Sequence, residues 1–407
     1  MSGQTSIEGC EDCRTAEGAS ETLLIVSTVF VTFVGFLTVA LPLAVLPVFV
    51  HHDLGFGVPL AGVAVSLQYV ATVLSRAQVG QMTDRAGAKV TVIRGLAACA
   101  LGGALMLVAG LAVATPLVSL AALLASRLAL GVGEGLVSTG AIAWAIGRTG
   151  SHRTARIISW NGIATYGALA LGAPLGVIVV RLGGFAALGM VVLGLAFVGL
   201  GLAFVRPSVP VLRAEARLAT GRVLRRVLPY GAVLALSTAG FGTVTTFVTL
   251  FFDHRGWSGA ALCLSAFGAA FILVRLVFAD AIDRVGGLRV AQLSLAVECV
   301  GLALLWSAGM PALAITGSAL TGAGFALVFP ALGVEAVGRV PPESRGTAIG
   351  LYSVFLDVSL GITGPAAGIA AALISFATPF LIGGTATAAG LALTFALGRE
   401  RRGDRAG

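Results

Sequence analysis

Arg127 and Glu134 stand seven residues apart in a stretch otherwise made of Leu, Ala, Gly and Val. In a helix that spacing is two turns, about 10.5 Å along the axis, so both side chains leave nearly the same face. Gly131 and Gly133 between them leave room for a neighbouring helix or a solute. An arginine keeps its charge at any physiological pH and can hold an anion, whereas a carboxylate sheltered from water can take up and release a proton. The two form a candidate proton-responsive pair; the competing reading is a structural ion pair that ties one helix to another. Asp357 is the second candidate carboxylate, well inside another apolar stretch. It could couple protons, partner Arg127, or hydrogen-bond two helices together. Glu298, in a third such stretch, reads as structural, and Glu335 is close enough to a helix end to reach the interface.

Gln68, Tyr69, Asn161 and Tyr166 bring hydrogen-bonding groups into apolar stretches. Such groups often join helices inside membranes at about 0.6 kcal/mol each; facing a cavity, they suit a polar or amphipathic solute. His51-His52-Asp53 follows a Pro-containing helix end and reads as a solvated turn, because a metal site needs more convergent ligands. Cys10-x-x-Cys13 has no second pair to complete a metal site. Cys99, Cys263 and Cys299 read as apolar packing. No metal, cofactor or disulfide is expected. A phosphate-cradling Gly-x-x-x-x-Gly-Lys run is absent, which argues against ATP-driven pumping and nucleotide chemistry.

The elements that must position these residues follow from composition. The 407 residues are 57% hydrophobic and only 11% charged, with a mean hydropathy of +0.99. A soluble domain could not bury that much apolar surface, whereas helices of about 20 apolar residues expose it to lipid. Spans are expected near 23–48, 58–78, 91–113, 117–145, 156–180 and 185–205, then near 229–252, 260–279, 290–308, 311–337, 347–374 and 378–398. Of 26 Lys and Arg residues, only Arg181 and Arg255 fall on the far side of such a threading. Most of the rest, apart from those inside spans such as Arg127, crowd the other loops, which assigns that side and both termini to the cytoplasm. The expected division is a cytoplasmic tail over 1–21, a six-helix bundle over 22–205, a basic linker over 206–228, a second bundle over 229–398 and a tail over 399–407. The first segment lacks a basic stretch ahead of a cleavable apolar core and does not read as a signal peptide. A pI near 9.9 can signal nucleic acid, but here the charge is spread over membrane-flanking loops, so anionic lipid is the expected partner and nucleic acid is not.

The two halves repeat one pattern. Gly80-Gln-Met-Thr-Asp84-Arg85-Ala-Gly87-Ala-Lys89 follows the second span, and Asp280-Ala-Ile-Asp283-Arg284-Val-Gly286-Gly-Leu-Arg289 follows the eighth. Gly131-Val-Gly133 matches Gly322-Ala-Gly324, and Gly172-Ala-Pro174-Leu-Gly176 matches Gly364-Pro365-Ala-Ala-Gly368. Duplicated six-helix units joined by a cytoplasmic segment are a hallmark of alternating-access transporters.

On these residues the chain resembles the major facilitator superfamily from about residue 20 to 400. The Asp-Arg-x-Gly segment is similar to that family's loop between spans two and three, with Ala88 where a basic residue is common. The segment Arg127-Leu-Ala-Leu-Gly131-Val-Gly133 is similar to its span-four motif, with Glu134 where a small residue is usual. Leu46-Pro47-Val-Phe-Val-His51-His52-Asp53-Leu-Gly55-Phe56, with Gln68-Tyr69 and Ser75-Arg76, resembles bacterial arabinose-efflux-type permeases of the drug:proton antiporter branch. The resemblance implies an all-α membrane protein of twelve transmembrane helices in two pseudo-symmetric six-helix bundles, monomeric, in the bacterial inner membrane. It implies that Asp84, with Arg85, Gly80, Gly87 and Lys89, belongs to a gating loop that latches the halves inside, echoed by Asp283, Arg284 and Gly286. It also implies that the Gly-Pro elements are an antiporter feature, although the span-five glycines are displaced around Pro174.

The expected function is secondary transport, not enzymatic turnover: efflux of a small organic solute in exchange for protons. The alternatives are a proton symporter or uniporter importing a sugar or organic acid, and a transport-inactive membrane sensor. A sensor would not require Arg127 and Glu134 in one span. Candidate coupling or cavity residues are thus Arg127, Glu134, Asp357, Gln68, Tyr69, Asn161 and Tyr166, with Gly131, Gly133, Pro174, Gly364, Pro365 and Gly368 as packing positions.

Overall fold

The computed structural model of the chain describes residues 30–150, 154–209, 220–278, 280–341 and 345–406. Cys10, Cys13 and the rest of the N-terminal tail, and Arg213 and Arg217 of the linker, lie outside the described residues.

Ten helical stretches among the described residues are long and apolar enough to cross a membrane. The stretch containing Trp160–Val205 counts as two, because Gly184 interrupts the helix Thr154–Val205 with φ 70° and ψ −175°. Ala261–Val277 is shorter but equally apolar and completes twelve. The helices are α1 (Phe30–Asp53), α2 (Val58–Ala86), α3 (Ala88–Leu111), α4 (Pro116–Thr149), α5 (154–183) and α6 (185–205). The second set is α7 (Thr220–His254), α8 (Ala261–Val277), α9 (Gly287–Trp306), α10 (Pro311–Val337), α11 (Arg345–Leu373) and α12 (Thr378–Ala406). Proline opens α2, α4 and α10 at the first or second position, where its missing N–H leaves nothing unsatisfied.

Several boundaries differ from expectation: α7 begins at Thr220, within the expected linker, α12 runs on to Ala406, and two further differences touch the named motifs. Asp84 and Arg85 are in the last turn of α2, not in a loop, because nothing in Gln-Met-Thr-Asp-Arg-Ala stops a helix. Gly87 alone reverses the chain, at φ 89°, a conformation that side chains rarely tolerate. Gly286 does the same before α9, at φ 95°, after a short helix Ala281–Val285 that carries Asp283 and Arg284. At the other end of the molecule, α1 runs past Pro47 through a π-helical turn, Phe49–Asp53. His51 and His52 are therefore the last turn of a helix, and His51 Nδ1 lies 2.9 Å from the carbonyl of Phe56.

The glycine pairs let α4 and α10 press into their neighbours. A Cβ at Gly131 would strike the carbonyl of Gln68 on α2, and one at Gly133 would sit 2.7 Å from Cys99 Sγ on α3. Gly322 meets the backbone of Phe267 on α8, and a Cβ at Gly324 would lie 2.5 Å from Glu298 N on α9. The Gly-Pro elements behave differently from each other. Gly172 and Gly176 on α5 face Ala40 and Leu41 of α1, within one bundle, while Gly364 and Gly368 on α11 face Gly62 and Pro59 of α2, across the two bundles.

The bundles meet mainly at one end. Ser66 Oγ on α2 donates to the Leu360 carbonyl on α11 at 2.7 Å and accepts from Gly364 N at 3.1 Å. Ser265 Oγ on α8 donates to the Ala170 carbonyl on α5 at 2.8 Å. Ser66 and Ser265 each stand 18 residues before the Asp of their Asp-Arg-x-Gly segment, so the two contacts are related by the repeat. Beyond them a space between the bundles is lined as far as Ile142 and Ile146 of α4 and Ile349 of α11.

Candidate functional site

That space is a cavity of about 510 Å³ lined by helices of both bundles, a size suited to a small organic molecule. Glu134 of α4, Tyr69 and Arg76 of α2, Asn161 and Tyr166 of α5, Arg275 of α8 and Asp357 of α11 all line it. Most are held by a specific partner. Gln68 Nε2 donates to Glu134 Oε2 at 2.6 Å. Thr32 Oγ1 on α1 donates to Asn161 Oδ1 at 2.9 Å. The ring of Tyr166 stacks on Phe271 with centroids 3.6 Å apart, beside Phe241 and Phe325, which stack on one another at 5.3 Å.

The charged groups are arranged asymmetrically. Arg76 Nε donates to Asp357 Oδ2, an ion pair that crosses from one bundle to the other. Asp357 is 3% exposed, so its charge needs that partner. Arg275 Nε donates to the Ala326 carbonyl at 3.0 Å, and its guanidinium carbon lies 5.1 Å from the centre of the Phe271 ring.

Sequence reasoning and structure agree on part of this set. Tyr69, Glu134, Asn161, Tyr166 and Asp357 come together around one cavity, and Gln68 stands directly behind Glu134. Arg127 does not join them. It is 0% exposed, and its Nε, Nη1 and Nη2 have no hydrogen-bond partner among the described residues. Glu134 turns toward Gln68, and Asp357 toward Arg76, so neither carboxylate bonds Arg127. The segment around Asp84 lies away from the cavity at the chain-reversal of α2 and α3. There Arg85 is exposed and Lys89 Nζ donates to the Phe204 carbonyl at 2.9 Å, clasping α3 to the end of α6. The side chain of Asp84 and the position of Gly80 against its neighbours lie outside the described residues. Arg284 reaches Asp280 at 3.4 Å with both side chains largely exposed, and Asp283 is exposed. At the closed end His52 Nε2 lies 2.6 Å from Asp253 Oδ2 of α7, a further contact between the bundles that composition did not suggest.

Arg76 and Arg275 are the site residues that sequence reasoning missed. The signal was available: each stands eight residues before the Asp of its Asp-Arg-x-Gly segment. Setting the two halves in register on those segments aligns the two arginines directly.

Comparison with known proteins places the chain. The family model for the Major Facilitator Superfamily matches residues 28–286 and 258–407. An uncharacterised transporter of that type from Burkholderia mallei (strain SAVP1) is 54% identical over 376 residues, 92% of each chain. One from Pseudomonas aeruginosa (strain UCBPP-PA14) is 52% identical over 381 residues, 94% of each. Among solved structures, a mutant of the nucleoside transporter NupG has a TM-score of 0.74 at 17% identity, covering 92% of this chain and 99% of its own. A D-xylose-proton symporter has a TM-score of 0.74 at 15% identity, with 90% and 96% covered. The human organic anion transporter MFSD10 has a TM-score of 0.68 at 18% identity, with 92% and 99% covered. The chain belongs to the Major Facilitator Superfamily, and is a multi-pass secondary transporter that works by alternating access.

Proposed function

We propose that this transporter exports a small organic solute from the bacterial cytoplasm in exchange for protons, with Glu134 and Asp357 as the protonation sites. The observation that carries this reading is that the two carboxylates come from opposite bundles and line one cavity, with Arg76 bridging the bundles through Asp357. A proton or a cargo group that engages Asp357 competes with Arg76 for it, and so weakens a link between the halves. An ion that changes one bundle's hold on the other biases a two-state rocking motion without contacting the closed end. Glu134, held only by the neutral Gln68 among the described residues, can change charge without breaking an ion pair.

The proposed orientation rests on loop charge. The cavity lining runs along α4 to Ile146 and along α11 to Ile349, toward the end that carries Arg85, Lys89, Arg226 and Arg339, the side that the positive-inside rule assigns to the cytoplasm. In that orientation both termini are cytoplasmic and the cavity loads from the cytoplasm. Arg127, buried without a hydrogen-bond partner among the described residues, is a candidate to meet Glu134 or cargo once the bundles tilt. The Asp84 segment is the candidate inner latch in that outward-facing state. The names of the solved relatives, a nucleoside transporter, an organic anion transporter and a sugar-proton symporter, are compatible with a cargo of this size range.

The test is purified protein in liposomes preloaded with candidate solutes and given an imposed pH gradient. Solute movement that follows the gradient and is accompanied by counter-movement of protons supports exchange. Protons moving with the solute would replace export by symport, and movement indifferent to the gradient would remove coupling altogether.

A further inference from the structure

The two arginines that the repeat makes equivalent do not have equivalent partners. Arg76 on α2 is paired with Asp357 on α11. Arg275 on α8 faces α5, and aligning Pro174 with Pro365 places Tyr166 at the position of Asp357. Tyr166 is a neutral ring stacked on Phe271, not an acid. Arg275 therefore lines the cavity with a hydrogen bond from Nε only, to the Ala326 carbonyl; among the described residues Nη1 and Nη2 have no acceptor and the side chain has no ion-pair partner. Gly162 on α5 keeps the space in front of Nη1 clear, since a Cβ there would lie 2.7 Å from it.

We propose that Arg275 is the anchor for an anionic cargo, and that the cargo is an aromatic carboxylate whose ring lies against the Tyr166, Phe241, Phe271 and Phe325 cluster. The proposal rests on the reading of this cavity as the cargo site. A half-buried guanidinium with no ion-pair partner among the described residues favours an anion, and its two Nη groups match the two oxygens of a carboxylate. Phe271 holds the guanidinium by its face while leaving those groups free. Tyr166, Phe241, Phe271 and Phe325 pack against one another in the cavity wall beside the guanidinium, an apolar aromatic face for the cargo ring. The arginine that already has an acid opposite it thus serves coupling, and the arginine without one takes its acid from the cargo.

The test measures equilibrium binding to the full-length purified protein with three probes: 2-naphthoate, its uncharged amide 2-naphthamide, and the ring-saturated acid decahydro-2-naphthoate. Naphthoate is expected to bind at least about tenfold tighter than naphthamide, the scale of one charge-assisted interaction, and tighter than the saturated acid. Arg275→Gln is expected to abolish the preference for the acid over the amide, and Arg275→Lys to keep part of it. Equal affinity of acid and amide, no binding of naphthoate, or an undiminished preference in Arg275→Gln would each overturn the anchor. Equal affinity of naphthoate and the saturated acid would overturn the aromatic part. If Arg275→Gln does not fold, the comparison of the three probes on the parent protein decides the matter alone. Intact naphthoate preference without any gradient-driven transport would overturn the transport reading and leave this one standing; gradient-driven transport of other solutes without naphthoate preference would do the reverse.

Discussion

Arg76 of α2 and Asp357 of α11 form an ion pair inside the cavity, joining the N-terminal bundle to the C-terminal one at a point that a solute would also occupy. Breaking such a pair from one side strands the other charge in a poor solvent. The side chains are 27% and 4% exposed, so the loss should fall below the ~3–5 kcal/mol of a fully buried pair, nearer about 1–3 kcal/mol. Arg76→Gln and Asp357→Asn should each lower the melting temperature in detergent. The double variant should recover much of the loss, and strict additivity of the two would show that the pair is not coupled.

Gly131 and Gly201 give opposite expectations for the same substitution. A Cβ at Gly131 would strike the Gln68 carbonyl, while at Gly201 nothing lies within 4 Å. Gly131→Ala should cost about 1–3 kcal/mol by forcing α2 away from α4, and should displace Gln68 from Glu134. Gly201→Ala, near the end of α6, should be neutral or stabilising by up to about 1 kcal/mol. Thermal unfolding of the two variants side by side measures both.

Gly62 must remain small for the closed end to close, because a Cβ there falls on the Gly364 carbonyl of the other bundle. Gly62→Leu should hold that end open and reduce transport to the level of empty liposomes. A cysteine placed at Leu43, 3% exposed in the cavity wall, should be protected from an impermeant thiol reagent added at the closed end in the parent protein. It should become labelled in the Gly62→Leu background.

His52 and Asp253 also bridge the bundles, but at 49% and 46% exposure the pair is well solvated and should be worth less than about 1 kcal/mol. Asp253→Ala should leave the melting temperature within a degree or two of the parent, a scale on which 1 kcal/mol would register in a chain of this size.

Hydropathy made the twelve spans and their division into two sixes legible, because bilayer thickness and backbone satisfaction leave few other solutions. The glycine pairs were legible for the same kind of reason: they mark close approach whichever neighbour makes it. The direction in which a polar side chain points was not. In a helix that is apolar all round, the pattern carries depth but no facing, so Arg127 and Glu134 could be placed on one face of α4 while only Glu134 reached the cavity. The break at Gly87 was misplaced because a single left-handed glycine can do the work of a loop. Arg76 and Arg275 were hidden in helix ends rich in basic residues, where a positive charge reads as topology; only the register between the halves distinguishes them.

The account stands most directly on gradient-driven accumulation measured for Glu134→Gln and Asp357→Asn beside the parent protein in liposomes of one lipid composition. Each variant should fall to the level of protein-free liposomes while remaining folded by thermal unfolding. Accumulation by both variants at the parent's rate would contradict the assignment of proton coupling to the two carboxylates in the cavity.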